Sequence, residues 1–161
     1  MRGSPALSGA SLAAAGFALA AAWSAPSLAD APSILGRWLT EDRLAVVEMA
    51  PCGAELCGRV VWIGDKEAPR TDVANPDPAL RARPVCDLQI LGGFKQAGAD
   101  APGEWRDGWI YDPKSGKTYH AKMTLRDAAT LDLRGYVGIP LFGETQVWTR
   151  DTEARPSCGA G

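Results

Sequence analysis

Apolar residues recur in short runs along most of the chain, and Gly, Pro and Asp separate these runs. In the segment KTYHAKMTL every second residue from Tyr119 to Leu125 is apolar, and the residues between them are polar. Such alternation is typical of a β-strand with one buried face. The same criteria predict eight strands: Gly36–Glu41, Leu44–Ala50, Cys57–Ile63, Leu88–Phe94, Trp105–Tyr111, Lys117–Leu125, Thr130–Val137 and Thr145–Arg150.

The connections between these runs are short and polar, except for the one from Gly64 to Asp87. Within it, Asp77 stands where a helix N-cap belongs, Pro78 takes the first helical position, and Pro84 stops the turn. We therefore expect a single short helix or a wide loop there. Eight strands without intervening helices favour closure, because an open sheet leaves bare edges. The sequence predicts an all-β fold: a small antiparallel eight-stranded β-barrel with one short helix in a long loop.

The first thirty residues differ from this pattern. One Arg is followed by a long uncharged run rich in Ala and Leu, and then by Pro26 and the small-residue triplet that ends at Ala29. This order is typical of a secretory signal peptide cleaved before Asp30; a membrane anchor is the alternative, since the run approaches the length of a bilayer span. We predict a signal peptide at 1–29, one barrel domain at 30–154 and a flexible tail at 155–161. The mature product would be soluble, without a membrane span, and periplasmic or secreted.

Charge excludes some partners. The formal net charge is −2, and acidic and basic residues are interspersed, so we expect no nucleic-acid partner and no attraction to anionic lipid. The sequence implies no cofactor.

Four cysteines remain to be placed. Cys52 and Cys57 flank a short polar turn between two strand-like runs, and an oxidising compartment favours a disulfide between them. A redox pair usually has two intervening residues, and a metal site needs two more ligands at a recognised spacing; we predict no metal site. Cys86 and Cys158 could form a second bridge, or Cys86 could be free and buried.

Catalytic signatures are weak. His120 is the only histidine and shares the polar side of its strand with Lys122, where a solvated role is ordinary. No nucleophile elbow, phosphate loop or zinc-protease motif is present. Turn and cap positions explain most carboxylates, including Asp112, so no catalytic residue is predicted and a carboxylate-dependent hydrolase is the least favoured function.

Aromatic residues suggest binding instead. In the fifth predicted strand, Trp105, Trp109 and Tyr111 would share one face with Asp107. Amphipathic rings beside one polar group suit a small-molecule pocket. Ordinary core packing is the alternative.

Two motifs at opposite ends of the chain resemble the lipocalin-like barrel. Gly36 and Trp38 form a Gly-x-Trp at the first strand, and QVWTR near the end supplies Trp148 and Arg150. In that fold the Trp closes the barrel floor and the Arg lies over its indole, and we assign these four residues a structural role. The blocks GRWLTEDRLAVVEMAPCGAELCGRVVWI, NPDPALRARPVCDLQILGGFK, WIYDPKSGKTYHAKMTL and LRGYVGIPLFGETQVWTR resemble the bacterial family of domain of unknown function 2147. This resemblance implies a lipocalin-like barrel over Leu35–Arg150 and no established activity.

The block RGYVGIPLFGETQ interrupts the last predicted hairpin with glycines and a proline. We expect Ile139, Leu141 and Phe142 to turn inward as a plug or lid. Arg134 and Tyr136 would present a cation and a phenol to a ligand if their side of the strand faces the lumen, and would be ordinary surface if it faces water.

The leading functional hypothesis is a carrier that binds a small apolar or amphipathic ligand through Trp105, Trp109, Tyr111, Arg134 and Tyr136. The alternative is an envelope protein-interaction or stress module whose lumen is filled by its own side chains. The two differ in whether the barrel is hollow.

Overall fold

The computed structural model describes residues 32–158, and within them eight strands form one closed barrel. Each strand pairs antiparallel with the next, and β8 closes the barrel against β1. The predicted all-β eight-stranded barrel is therefore confirmed. The predicted signal peptide lies outside the described residues. The strands are β1 (Gly36–Leu39), β2 (Ala45–Cys52), β3 (Glu55–Ile63), β4 (Gln89–Gln96), β5 (Glu104–Asp112), β6 (Lys117–Leu125), β7 (Thr130–Tyr136) and β8 (Gly143–Arg150).

The lumen is filled by the side chains of the barrel itself. Inward-facing residues from nearly every strand are at most 5% exposed: Trp38, Val47, Met49, Leu56, Val60, Leu91, Phe94, Ala121, Met123, Leu131, Leu133 and Trp148. Where β5 contributes Gly108, the Phe94 ring takes the space, and a Cβ at Gly108 would lie 2.3 Å from that ring. Small barrels are commonly packed in this way, and a filled lumen is what the hypothesis of an interaction or stress module predicts.

One end of the barrel is closed by a cation over an indole. The Arg150 guanidinium carbon lies 3.8 Å from the centre of the Trp38 ring. Arg150 Nη1 donates to the Leu35 carbonyl at 2.7 Å, and Trp38 Nε1 donates to the Ile34 carbonyl at 2.8 Å. A cation–π contact of this kind contributes about 0.5–2 kcal/mol, and the two hydrogen bonds hold the N-terminal segment across the barrel floor.

Two disulfides join parts of the described chain. The hairpin disulfide, Cys52–Cys57, closes the β2–β3 turn. The long-range disulfide, Cys86–Cys158, connects the β3–β4 connection to the C-terminal segment, so Cys86 is not free. Near this bridge, Cys158 donates its backbone N–H to the Val61 carbonyl at 2.6 Å. The C-terminal segment is thus held against β3.

The long connection over residues 64–88, called here the β3–β4 segment, contains one 3-10 turn at Pro78–Leu80. Asp77 caps this turn by accepting from the Ala79 N–H at 2.9 Å, as the sequence predicts. An isolated bridge between Thr71 and Pro84 narrows the segment into a loop. The loop reaches the β5–β6 turn at Gly116, where a Cβ would lie 1.9 Å from the Ala74 carbonyl oxygen.

Candidate functional site

A bulge in β5 separates the aromatic residues that the sequence assigns to one face. Trp105 pairs with Met123 and packs against the core, whereas Trp109 pairs with His120. The register shifts between Trp105 and Gly108, and Asp107 there has a φ of 63°. An extra residue in a strand reverses the alternation beyond it. The prediction of one shared face was therefore wrong for Trp105, which points inward, whereas Trp109 and Tyr111 share the outward face.

The outward-facing half of β5 lies under the β3–β4 segment, where two clefts adjoin. They have volumes of about 680 Å³ and 460 Å³, and both are lined by Arg83, Gln89 and Trp109. Arg59 and Asp87 line the larger one, and Tyr111 lines the smaller. We call the pair the outer cleft. It lies on the outer surface of the barrel, and it brings together two of the predicted ligand-binding residues, Trp109 and Tyr111.

A buried polar cluster fastens the β3–β4 segment to the barrel wall. Asp72 is fully buried, and its carboxylate accepts from the Tyr111 hydroxyl at 2.6 Å and from Asn75 Nδ2 at 2.7 Å. Arg83 Nε and Nη2 each donate to the same carboxylate at 2.8 Å. The Arg83 guanidinium also lies 5.4 Å from the centre of the Tyr111 ring. Every oxygen of the buried carboxylate is therefore satisfied, as burial of a charge requires.

Burial and hydrogen bonding act in opposite directions on this cluster. Burial raises the pKa of the Asp72 carboxyl, but hydrogen bonds from Tyr111, Asn75 and Arg83 outweigh it and hold the pKa below its usual value. Burial, with the Asp72 carboxylate as hydrogen-bond acceptor, raises the pKa of the Tyr111 hydroxyl. At neutral pH the pair is thus a carboxylate accepting from a neutral phenol, which is a structural arrangement.

Trp109 forms a flat surface in the cleft. Its indole lies across Gly92, where a Cβ would be 2.6 Å from Cζ2 of the ring. The Nε1–H of Trp38 donates to the Ile34 carbonyl, and that of Trp148 donates to Gln146 Oε1. Among the residues described by the structure, none accepts from Nε1 of Trp109. The ring therefore offers the cleft an aromatic face and an open donor.

Arg134 and Tyr136 lie outside the cleft, on the outward face of β7. Arg134 donates to the Pro140 carbonyl at 2.7 Å, to Thr145 Oγ1 at 2.8 Å and to the Leu141 carbonyl at 3.3 Å, so its guanidinium holds the β7–β8 loop. Tyr136 stacks on His120 with ring centres 5.8 Å apart. Their side of the strand faces water. Of the two alternatives left open by the sequence, Arg134 and Tyr136 are therefore surface residues and do not face a ligand in the lumen.

The β7–β8 loop also corrects an expectation. The predicted inward plug is wrong, because Ile139, Leu141 and Phe142 are 53%, 75% and 71% exposed. The lumen is already filled by core side chains, and a 3-10 turn at Pro140–Phe142 directs the loop outward. Val137 is also exposed, so the loop presents four apolar side chains to solvent.

Other chemistry finds little support in the described part of the chain. Asp112 accepts from Ser115 Oγ at 2.6 Å and from the Lys114 N–H at 3.0 Å, which is a turn role. Across residues 32–158, no group of three or more His, Cys, Asp or Glu side chains could hold a metal ion. The same range has no helix with the length and apolar character needed to cross a membrane.

Most residues of the cleft had not been predicted, among them Arg59, Arg83 and Gln89. Arg59, Arg83 and Gln89 come from β3, the β3–β4 segment and β4, and no motif links them. The length of the connection was the one available signal, because long ordered loops over a sheet commonly carry binding residues.

Comparisons with known proteins support the barrel fold and show the family of the chain. No curated protein matches the chain. Among solved structures, the barrel is similar to a Helicobacter pylori protein described as belonging to the lipocalin family, with 21% identity and a TM-score of 0.67 over 75% of this chain and 84% of that one. This likeness confirms the lipocalin-like fold. A family model described as "Uncharacterized protein conserved in bacteria (DUF2147)" matches residues 36–150. The chain therefore belongs to this family, as its sequence blocks predict.

Proposed function

We propose that this protein binds a small amphipathic molecule, and that it does so in the outer cleft rather than in the lumen. The observation that carries the proposal is the contrast between a lumen filled by its own side chains and an open cleft over Trp109. The two cleft volumes, about 680 Å³ and 460 Å³, lie in the range of roughly 300–1,000 Å³ typical of small-molecule sites. Lipocalin-like folds are compatible with such a role, although a fold alone does not assign it.

The cleft also has the lining that such sites need. Trp109 offers an aromatic face, while Gln89 and two arginines offer polar groups around it. The Asp72 cluster holds the β3–β4 segment in place, so the cleft is formed before a ligand arrives. Preorganisation of this kind lowers the entropic cost of binding.

Tryptophan fluorescence of the purified, oxidised protein tests the proposal. The probes are fatty acids, phospholipids and single-ring aromatic metabolites, and the variants are Trp109→Phe and its matched control Trp105→Phe. We expect a saturable response in wild type and in Trp105→Phe, and loss of that response in Trp109→Phe. A response that disappears only in Trp105→Phe would move binding into the lumen, and no saturable response to any probe would reject ligand binding.

We further propose that the protein acts outside the cytoplasm. The hairpin and long-range disulfides favour an oxidising compartment, and the signal-like residues 1–29 provide a route to it. On this proposal the mature chain begins at Asp30, and residues 30–154 form its barrel domain. N-terminal sequencing of the protein from the periplasmic fraction tests this, and retention of Met1 in a cytoplasmic fraction would contradict it.

A second function, interaction with an envelope protein, is favoured by the β7–β8 loop. Its four exposed apolar side chains are held in an ordered turn by Arg134, and ordered apolar patches often mark interaction sites. A photo-crosslinking residue at Leu141 should yield a discrete protein adduct in living cells. The matched control is the same residue at Lys114, in the exposed turn between β5 and β6. Equal labelling at both positions, or none at Leu141, would reject this role.

A further inference from the structure

We infer that the outer cleft is built for a planar aromatic molecule that carries a single carboxylate. This inference rests on the proposed binding function and names the chemical class of ligand for the same site. It follows from three features of the cleft: a fixed aromatic platform, two partly occupied guanidinium groups and a nearly balanced local charge.

The platform is Trp109. Gly92 beneath it has no side chain, and any Cβ there would meet both the indole and the Gln89 side-chain amide nitrogen, at 2.6 Å and 2.8 Å. The ring therefore lies directly on the sheet over Gly92, beside the Gln89 side chain. It lines both parts of the cleft. A flat, rigid aromatic surface favours offset stacking with another planar ring.

The cations are anchored and yet have donors to spare. Arg59 Nη1 donates to the Asp87 carbonyl at 3.0 Å, which leaves Nε and Nη2 without acceptors in the described part of the protein. Arg83 donates through Nε and Nη2 to Asp72, so its Nη1 likewise has no acceptor among the described residues. Anchored guanidinium groups suit a carboxylate, because less side-chain entropy is lost when they bind it.

The charge of the cleft disfavours a ligand with more than one negative charge. Arg59 and Arg83 line it together with the exposed carboxylate of Asp87, and Asp72 lies behind Arg83. Two cations thus face two carboxylates, so the local charge sums to zero, and it disfavours a dianion such as a phosphate monoester more strongly than a monoanion. A monoanion gains the free guanidinium donors while its ring stacks on Trp109 and its other polar atoms reach Gln89.

Isothermal titration calorimetry with four probes tests this inference on the oxidised protein. The probes are 4-hydroxybenzoate, its amide 4-hydroxybenzamide, cyclohexanecarboxylate and phenyl phosphate. A charge-assisted hydrogen bond corresponds to about tenfold or more in the dissociation constant. We expect 4-hydroxybenzoate to bind at least about tenfold more tightly than each of the other three. Equal affinity for acid and amide, or for aromatic and saturated acid, would overturn the inference.

Substitutions locate the effect. Arg59→Gln should lower the preference for the acid over the amide, because it removes one of the two guanidinium groups, whereas the control Arg106→Gln, an exposed arginine paired with Glu104 elsewhere on β5, should leave it unchanged. Retention of the full preference in Arg59→Gln would also overturn the inference.

The two proposals can fail separately. If neutral aromatic probes bind in a Trp109-dependent way and the acid has no advantage, ligand binding in the cleft stands and the assignment of an aromatic acid fails. If no probe of any class produces a saturable signal, both proposals fail.

Discussion

Substitution of Asp72 by Asn tests how the outer cleft is held together. The change keeps the shape of the side chain but removes its charge. Oδ2 accepts from Asn75 at 2.7 Å and from Arg83 Nε at 2.8 Å. In Asn this atom becomes either the amide NH₂ group or a neutral carbonyl oxygen. Either orientation of the new amide weakens the contacts, because an NH₂ group at the Oδ2 position would face the Asn75 and Arg83 donors, and a neutral oxygen there is a poorer acceptor than a carboxylate.

The magnitude follows from the bonds that are lost. Oδ2 has three charge-assisted contacts, from Asn75 Nδ2 and from Nε and Nη2 of Arg83, and at about 1.5–3 kcal/mol each they suggest a total of about 5–9 kcal/mol. The Arg83 side chain is 34% exposed and can be solvated when its partner is lost, so its share is discounted. We therefore expect Asp72→Asn to lower the free energy of unfolding by about 3 kcal/mol, close to the lower end for a broken buried pair.

Urea unfolding at pH 7, followed by circular dichroism, measures this loss. The matched control is Asp100→Asn, an exposed residue of the β4–β5 turn, for which we expect a change within about 0.5 kcal/mol. Hydrogen exchange should show the loss first in the β3–β4 segment, since the cluster fastens that segment. Equal stability of Asp72→Asn and wild type would refute the account of the cluster.

The pH dependence provides an independent check. Because the folded-state pKa of Asp72 lies below its usual value, its stabilising contribution is complete above the unfolded pKa of about 3.9 and is lost as the pH falls through the folded pKa. The difference in unfolding free energy between wild type and Asp72→Asn should therefore be constant at neutral pH and shrink below about pH 4. A difference that does not change with pH would show that the Asp72 charge is not its source.

Three further sets of substitutions test other parts of the fold. Gly116→Ala should displace the β3–β4 segment and lower the thermal midpoint more than Gly138→Ala, because both glycines have positive φ but only Gly116 has a neighbour in the way of a Cβ. Equal effects would show that backbone conformation alone matters. Removing the long-range disulfide by Ser substitution should cost about 4 kcal/mol of unfolding free energy, and removing the hairpin disulfide about 2 kcal/mol, since the first closes a much longer loop; the opposite order in urea unfolding would refute this. Arg150→Lys should cost about 1–3 kcal/mol, because a single ammonium cannot both cover Trp38 and reach the separate carbonyls that Arg150 contacts; unchanged unfolding would contradict this.

The outer face of the barrel and its lumen differ in the room that they offer to a ligand. Core residues such as Phe94 and Met123 are at most 1% exposed, so the lumen offers little room without repacking. The outer cleft needs no such repacking, because it lies between a sheet and a loop that is fastened at Asp72. The open space that a ligand could enter without repacking therefore lies beside the sheet.

The sequence by itself determined the eight strands, their antiparallel closure and the faces of β6 and β7. These properties follow from a two-residue period and from short connections, and both are local. The capped turn at Pro78 could also be predicted from the sequence, because its cap, Asp77, is adjacent in the chain. The bulge in β5 also had a local signal that was not used, because an Asp-Gly pair such as the one at Asp107 is typical of a turn or bulge.

Only the tertiary structure decided where the residues of the outer cleft meet. One extra residue in β5 sends Trp109 to the outside, and the hydrogen bonds that bring Asp72 and Asn75 to Tyr111 span 39 and 36 residues. Likewise, the lumen was already full of core side chains, so the apolar β7–β8 loop had to point outward. Contacts across such distances depend on how volumes fill and how buried charges are satisfied, and no local pattern in the chain encodes either.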